Sequence, residues 1–179
     1  MKLLNTTGGN TKVKKSMKSK LRAEVIRIAS LSMMPDLILC PASELAGCFK
    51  VCLQSTGRGR FDSVKTSRQT KSDWWHADQE SFLVQLKREM HNFIRTCKKQ
   101  GVKPVFRLNT ISDIPWEKHL DMAGEFADAY FYDYTKRAKR LGGTPGNYSL
   151  MFSFSSRLMY RKQVLKAMES AVPIAVVGG

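Results

Sequence analysis

The chain has 179 residues, 42% of them hydrophobic, enough for one domain with a real core. It contains no apolar run of membrane-spanning length, and its basic start lacks the apolar stretch and cleavage site of a signal peptide, so we expect a cytoplasmic protein that spans no membrane. Thirty Lys and Arg against fifteen Asp and Glu give a net charge of +15, which attracts polyanions, nucleic acid being the commonest in a cell.

Residues 1–24 read as a basic N-terminal segment and residues 25–179 as a single α/β domain. Residues 1–72 carry fourteen Lys or Arg and four Asp or Glu. Lys12 sits in GGNTK, whose glycines and lysine suit an anion nest but lack the strand and helix of a P-loop. Residues 25–39 read as extended or loop structure broken at Pro35. There follows CPASELAGCFKVC (40–52), with seven residues between Cys40 and Cys48 and three between Cys48 and Cys52. Beyond the Gly-rich STGRGR, a second basic group (Arg58, Arg60, Lys65, Arg68 and Lys71) runs toward a helix. These side chains either grip phosphates or form the wet face of that helix. Trp74 and Trp75 read as one core ring and one covering it, with base stacking as the alternative.

From Asp78 to Gln100, apolar residues recur at helical spacing, with Gly101 as C-cap and Pro104 preventing continuation. Cys97 falls on the apolar face and reads as a small core residue. The chain then alternates: strand 105–110, helix 115–129, strand 129–135, a short basic piece, strand 148–155, helix 157–171 and strand 172–177. Successive βα units build a parallel sheet with right-handed crossovers, as an open sheet or part of a barrel. In FYDYTK (131–136), Tyr132 and Tyr134 alternate with Phe131 and Asp133, so one face of that strand is aromatic, which packing alone explains.

In such folds, ligands gather at the C-terminal ends of the strands. Polar residues crowd those positions: Asn109, Thr110, Ser112 and Asp113; Asp133, Thr135 and Lys136; Ser153, Ser155, Ser156 and Arg157. Capping accounts for any one of them, but their convergence on one rim marks a candidate site. We take Asn109, Asp113, Asp133 and Lys136 as candidate catalytic residues, with the two aspartates as acid, base or metal partner and Lys136 on phosphate. Lys12, Arg58, Arg60, Lys65 and Arg68 are the candidate phosphate or nucleic-acid contacts. The chain stops on Gly178-Gly179 at that same rim, which reads as a sequence cut short.

The blocks GGNTK, CPASELAGCFKVC with GRF beyond it, RLNTISDIPWE, FYDYTK and YSLMFSFSS together resemble the phage gene product 88 family. They occur in the family's order over nearly the whole chain. The resemblance implies a phage or prophage protein acting in its host cell, in a family whose members run on past the last strand here.

Clustered thiols in a reducing compartment are more often metal ligands or catalytic groups than disulfides. Cys40, Cys48 and Cys52 suit a [4Fe–4S] cluster with one iron left free, or zinc with a fourth ligand from His76, His91, His119 or Asp113. The placement after a first strand is similar to that in radical S-adenosylmethionine enzymes, whose cysteine spacing is tighter. Buried inert thiols and a nucleophilic cysteine near Lys50 are the alternatives. Two functional classes follow: a metal- or Fe–S-dependent α/β protein acting on a phosphorylated small molecule or nucleic acid, or a non-catalytic nucleic-acid-binding protein with structural zinc or no metal. Oligomeric state is not encoded in any of these patterns.

Overall fold

The computed structural model describes residues 1–6, 26–49, 52 and 57–176. Its strands are β1 (Asn5–Thr6), β2 (Ile26–Ser30), β3 (Lys103–Arg107), β4 (Tyr130–Thr135), β5 (Tyr148–Ser153) and β6 (Ile174–Ala175). Its α-helices are α1 (Asp62–Ala77), α2 (Gln79–Lys99) and α3 (Arg161–Met168).

Local chemistry sets the helix boundaries. Asp78 leaves the helical conformation between α1 and α2, and its carboxylate accepts from the Ser81 amide at 3.0 Å, capping α2. The apolar stripe Phe82, Leu86, Met90, Phe93 and Cys97 is buried along α2. At its end, Gly101 takes φ 63°, a left-handed conformation that favours glycine. Cys97 is fully buried in the main core, as its place in the stripe implies.

The six strands form one sheet in sequence order, with β1 antiparallel to β2 and every later pair parallel. A sheet that always advances in one direction through right-handed crossovers puts its helices on a single face. Two contacts show that arrangement. Phe93 of α2 meets Phe106 of β3 at 5.4 Å between ring centroids, and Phe152 of β5 stacks on Tyr160, which leads into α3, at 5.8 Å. Ala29, Phe106, Phe131 and Tyr148 form one row across this covered face, and Asp133 and Leu150 belong to the next. The opposite face carries Ile28, Val105, Arg107, Tyr130, Tyr132, Tyr134, Ser149 and Met151.

Three stretches depart from expectation. Residues 115–129 make a single 3-10 turn, Trp116–Lys118, followed by turns rather than a helix. The side chains there take over backbone groups that a helix would pair. Asp121 accepts from the Gly124 amide at 2.8 Å, and the Asn147 Nδ2 lies 2.7, 3.2 and 3.0 Å from the carbonyls of Met122, Phe126 and Ala129. The helix expected over 157–171 opens as a 3-10 turn, Leu158–Tyr160, and α3 is eight residues long. Residues 1–6, assigned by sequence to a basic segment, enter the domain: β1 joins the sheet, and Leu3 and Leu4 are buried in the main core.

Candidate functional site: a thiol-lined cleft at the strand rim

The cysteine segment is a run of turns over residues 41–47, not a helix. Asp36 starts it by accepting from the amides of Ile38 and Leu39, each at 2.8 Å. Gly47 helps close it with φ 69°, packed so closely against Arg157 that a Cβ would collide with the guanidinium. Three bonds hold the segment to the sheet rim. The Asp113 amide donates to Leu39 O at 2.7 Å, the Cys40 thiol to Ile111 O at 3.5 Å, and the Ser155 hydroxyl to Ala46 O at 2.8 Å.

A cleft of about 320 Å³ opens between this segment and the C-terminal ends of β3, β4 and β5. Cys40, Cys48 and Cys52 line it, together with Arg107, Asn109, Thr110, Asp113, Tyr134 and Lys136. Burial pushes the Cys40 thiol far above its ordinary value, with Asp113 and then the other two cysteines adding to the effect. Burial raises the Cys48 thiol as well, opposed by the Lys136 ammonium.

Polar atoms in the cleft are left over. Ser43 Oγ, Arg107 Nε and Thr110 Oγ1 are buried without a hydrogen-bond partner, and all three residues line the cleft. Outside that lining, Arg68 Nε and Nη1 are also buried without a hydrogen-bond partner, and the Arg68 guanidinium lies within electrostatic reach of Cys52. Buried polar groups without partners are uncommon in folded proteins. A ligand offering acceptor oxygens would satisfy these donors.

Other side chains of the lining belong to a satisfied polar network that extends away from the cleft. Asn109 Oδ1 accepts from Ser112 Oγ, the Ile114 amide and Trp116 Nε1, while its Nδ2 donates to Ile114 O, so this side chain organises the loop after β3. Asp133 is on the covered face, where it accepts from the Asn109 amide at 2.8 Å and the Tyr148 hydroxyl at 3.3 Å. Burial raises its carboxyl to about 7. Asp113 accepts from the Thr135 hydroxyl at 2.8 Å and the Lys136 amide at 3.0 Å, and pairs with Arg140, which also grips Glu117 with two nitrogens. Burial pushes the Asp113 carboxyl up, against the opposing pull of Arg140. Lys136 Nζ donates to the carbonyls of Ser153 and Phe154 at 3.0 and 2.8 Å, spanning the ends of β4 and β5.

The gene product 88 family model matches residues 2–178. The chain belongs to the gene product 88 family. No curated protein and no solved structure matches it. In this gene product 88 chain, the cleft brings together the three cysteines, Asn109, Asp113 and Lys136, while Asp133 backs the β3 loop. The candidate phosphate contacts are dispersed. Lys12 lies outside the described residues, as does the side chain of Arg58. Arg60 is exposed, Lys65 pairs with Asp62 at 3.3 Å, and Lys71 is buried, donating to Leu3 O at 2.9 Å. The histidines considered for zinc face elsewhere: His76 bonds Asp36, His91 bonds Glu125, and His119 packs edge-on against Trp75 and Trp116. Of those four fourth-ligand candidates, Asp113 shares the cleft with the cysteines. Sequence reading did not single out Ser43 or Arg107 and assigned Tyr134 to packing; for Arg107, its place at the end of β3 was the available signal.

Proposed function

We propose that this member of the gene product 88 family binds a phosphate-bearing ligand in the rim cleft, with the three cysteines as an anchor for a metal centre. The observation carrying the ligand reading is the set of buried, unpartnered donors from Ser43, Arg107 and Thr110 in a cleft that also contains Lys136. Phosphate oxygens accept several hydrogen bonds at once and favour Arg and Lys. Lys136 and Arg107 would hold the ligand's charge, and the hydroxyls would orient it. Asp113 and Asn109 act as positioning residues, because Asp113 fixes Thr135 and the Lys136 backbone while Asn109 shapes the loop. Asp133 supports that loop from behind.

The metal reading rests on donor chemistry. Three thiols lining one cleft are donors of the kind that a [4Fe–4S] cluster or zinc takes, which would supply an iron site or a structural tie, respectively. Among the described residues, no group of three His, Cys, Asp or Glu side chains is assembled to hold a metal ion, and the Cys40 and Cys48 thiols donate to carbonyls. Loading would therefore require those thiols to give up their protons and these bonds. A second reading, non-catalytic binding of nucleic acid, draws on the net charge of +15.

Two measurements test the proposal. After purification without oxygen, the protein should contain about four irons with sulfide, or stoichiometric zinc, and lose the metal in Cys40→Ser. A folded, metal-free protein would remove the metal centre. Calorimetric titration with pyrophosphate should show binding that Thr110→Val and Lys136→Met each weaken; no binding to the unsubstituted protein would remove the phosphate site.

A further inference from the structure

The sheet face opposite the helices carries a second feature, leading directly into the cleft. Along β4 the sequence alternates Tyr130-Phe131-Tyr132-Asp133-Tyr134-Thr135, and Phe131, Asp133 and Thr135 are buried on the other face. The three tyrosines line up on the other face at alternate positions, roughly 6.6 Å apart along the strand. Tyr130 is 52% exposed, and Tyr132 and Tyr134 are half-buried. Each has a cation from β3 over one face of its ring, leaving the other face for stacking. Lys103 Nζ lies 5.7 Å from the Tyr130 centroid, and the Arg107 guanidinium carbon lies 5.8 and 5.2 Å from those of Tyr132 and Tyr134. Small or flexible residues flank the row: Ser149 is in register with Tyr132, and Met151 with Tyr134. Among the described residues, no strand position on this face is acidic.

We propose that this face is a stacking platform for a single-stranded nucleic acid lying along β4. Its bases would stack on the tyrosines, and its backbone would follow Lys103 and Arg107 toward the rim. Aromatic rings flanked by cations are how proteins hold single strands without reading sequence, since every base has a π-face. A duplex keeps those faces stacked inside, so the platform discriminates against it. The tyrosine spacing is one that an unstacked nucleotide can bridge, and the charge complementarity is with a polyanion. Arg107 and Tyr134 belong to both the platform and the cleft, so a phosphate of the strand would enter the site proposed above. That entry rests on the phosphate reading; stacking on β4 does not.

Fluorescence anisotropy with labelled oligothymidylate, and with a duplex of the same length, tests the proposal. The single strand should bind more tightly than the duplex. Tyr132→Leu should weaken single-strand binding about tenfold, while Tyr132→Phe, which keeps the ring, retains it. Arg107→Met should lower the salt slope by about one. Equal affinity for both nucleic acids, or equal affinity in the Phe and Leu variants with both folded, would overturn the platform. The pyrophosphate titration separates the two readings. If it fails while the tyrosine series responds, the platform stands and the cleft loses its phosphate. The converse result leaves a phosphate site without a platform.

Discussion

Burial lifts the Asp133 carboxyl from 3.8 to about 7, so between roughly pH 4 and pH 7 the folded chain holds a proton there that the unfolded chain releases. A carboxyl whose folded pKa is raised contributes stability that is complete below the unfolded value and lost as pH rises through the folded one. The unfolding free energy of the unsubstituted protein should therefore fall over this window, by up to about 4 kcal/mol. Asp133→Asn can still accept from the Asn109 amide, and it should flatten that fall. Denaturant unfolding at a series of pH values reads the difference, and parallel pH profiles for the two proteins would contradict it. Asp133 was identified from sequence as a strand-end carboxylate, but its role differs from that of Tyr134 because adjacent strand residues face opposite sides. Arg140 went unnoticed inside KRAKRLGG, since nothing local distinguishes a buried, ion-paired arginine from its solvated neighbours.

At the scale of elements, α2 was legible because its signals are local: a buried stripe at helical spacing, an Asp N-cap and a glycine stop. Its energetics should follow the stripe. Leu86 is fully buried and Val84 is 64% exposed, so Leu86→Ala should cost about 2–5 kcal/mol and Val84→Ala less than about 0.5 kcal/mol, as read from unfolding midpoints. Equal costs would mean that the stripe does not face the core. The segment 115–129 shows the limit of the same reasoning. Its residues suit a helix, yet Asn147, which is distant in sequence, meets three of its carbonyls. A propensity summed over neighbours does not register a competitor supplied by a residue about 18–25 positions beyond the carbonyls it meets.

For the whole molecule, one long-range contact ties the start of the chain to α2. The Glu89 carboxylate accepts from the Leu3 and Leu4 amides at 2.9 and 2.8 Å, and Lys71 donates to Leu3 O from the neighbouring helix. Glu89→Ala should cost about 1.5–3 kcal/mol, the range for hydrogen bonds to a charged group, measured as a shift in denaturant midpoint. An unchanged midpoint would mean that the hydrogen bonds from Leu3 and Leu4 to this carboxylate contribute nothing to the fold. From its own order of residues, the chain determines an α/β architecture, strands meeting at a polar rim and a cluster of three cysteines, because periodicity, capping and composition are properties of near neighbours. Tertiary structure alone decided that the cysteines share one cleft with Lys136 and Asp113, that Lys71 and Arg140 are buried, and that the tyrosines of β4 lie opposite the helices. Those outcomes depend on strand register and on which face the crossovers cover, and both are set by contacts between segments far apart in the chain.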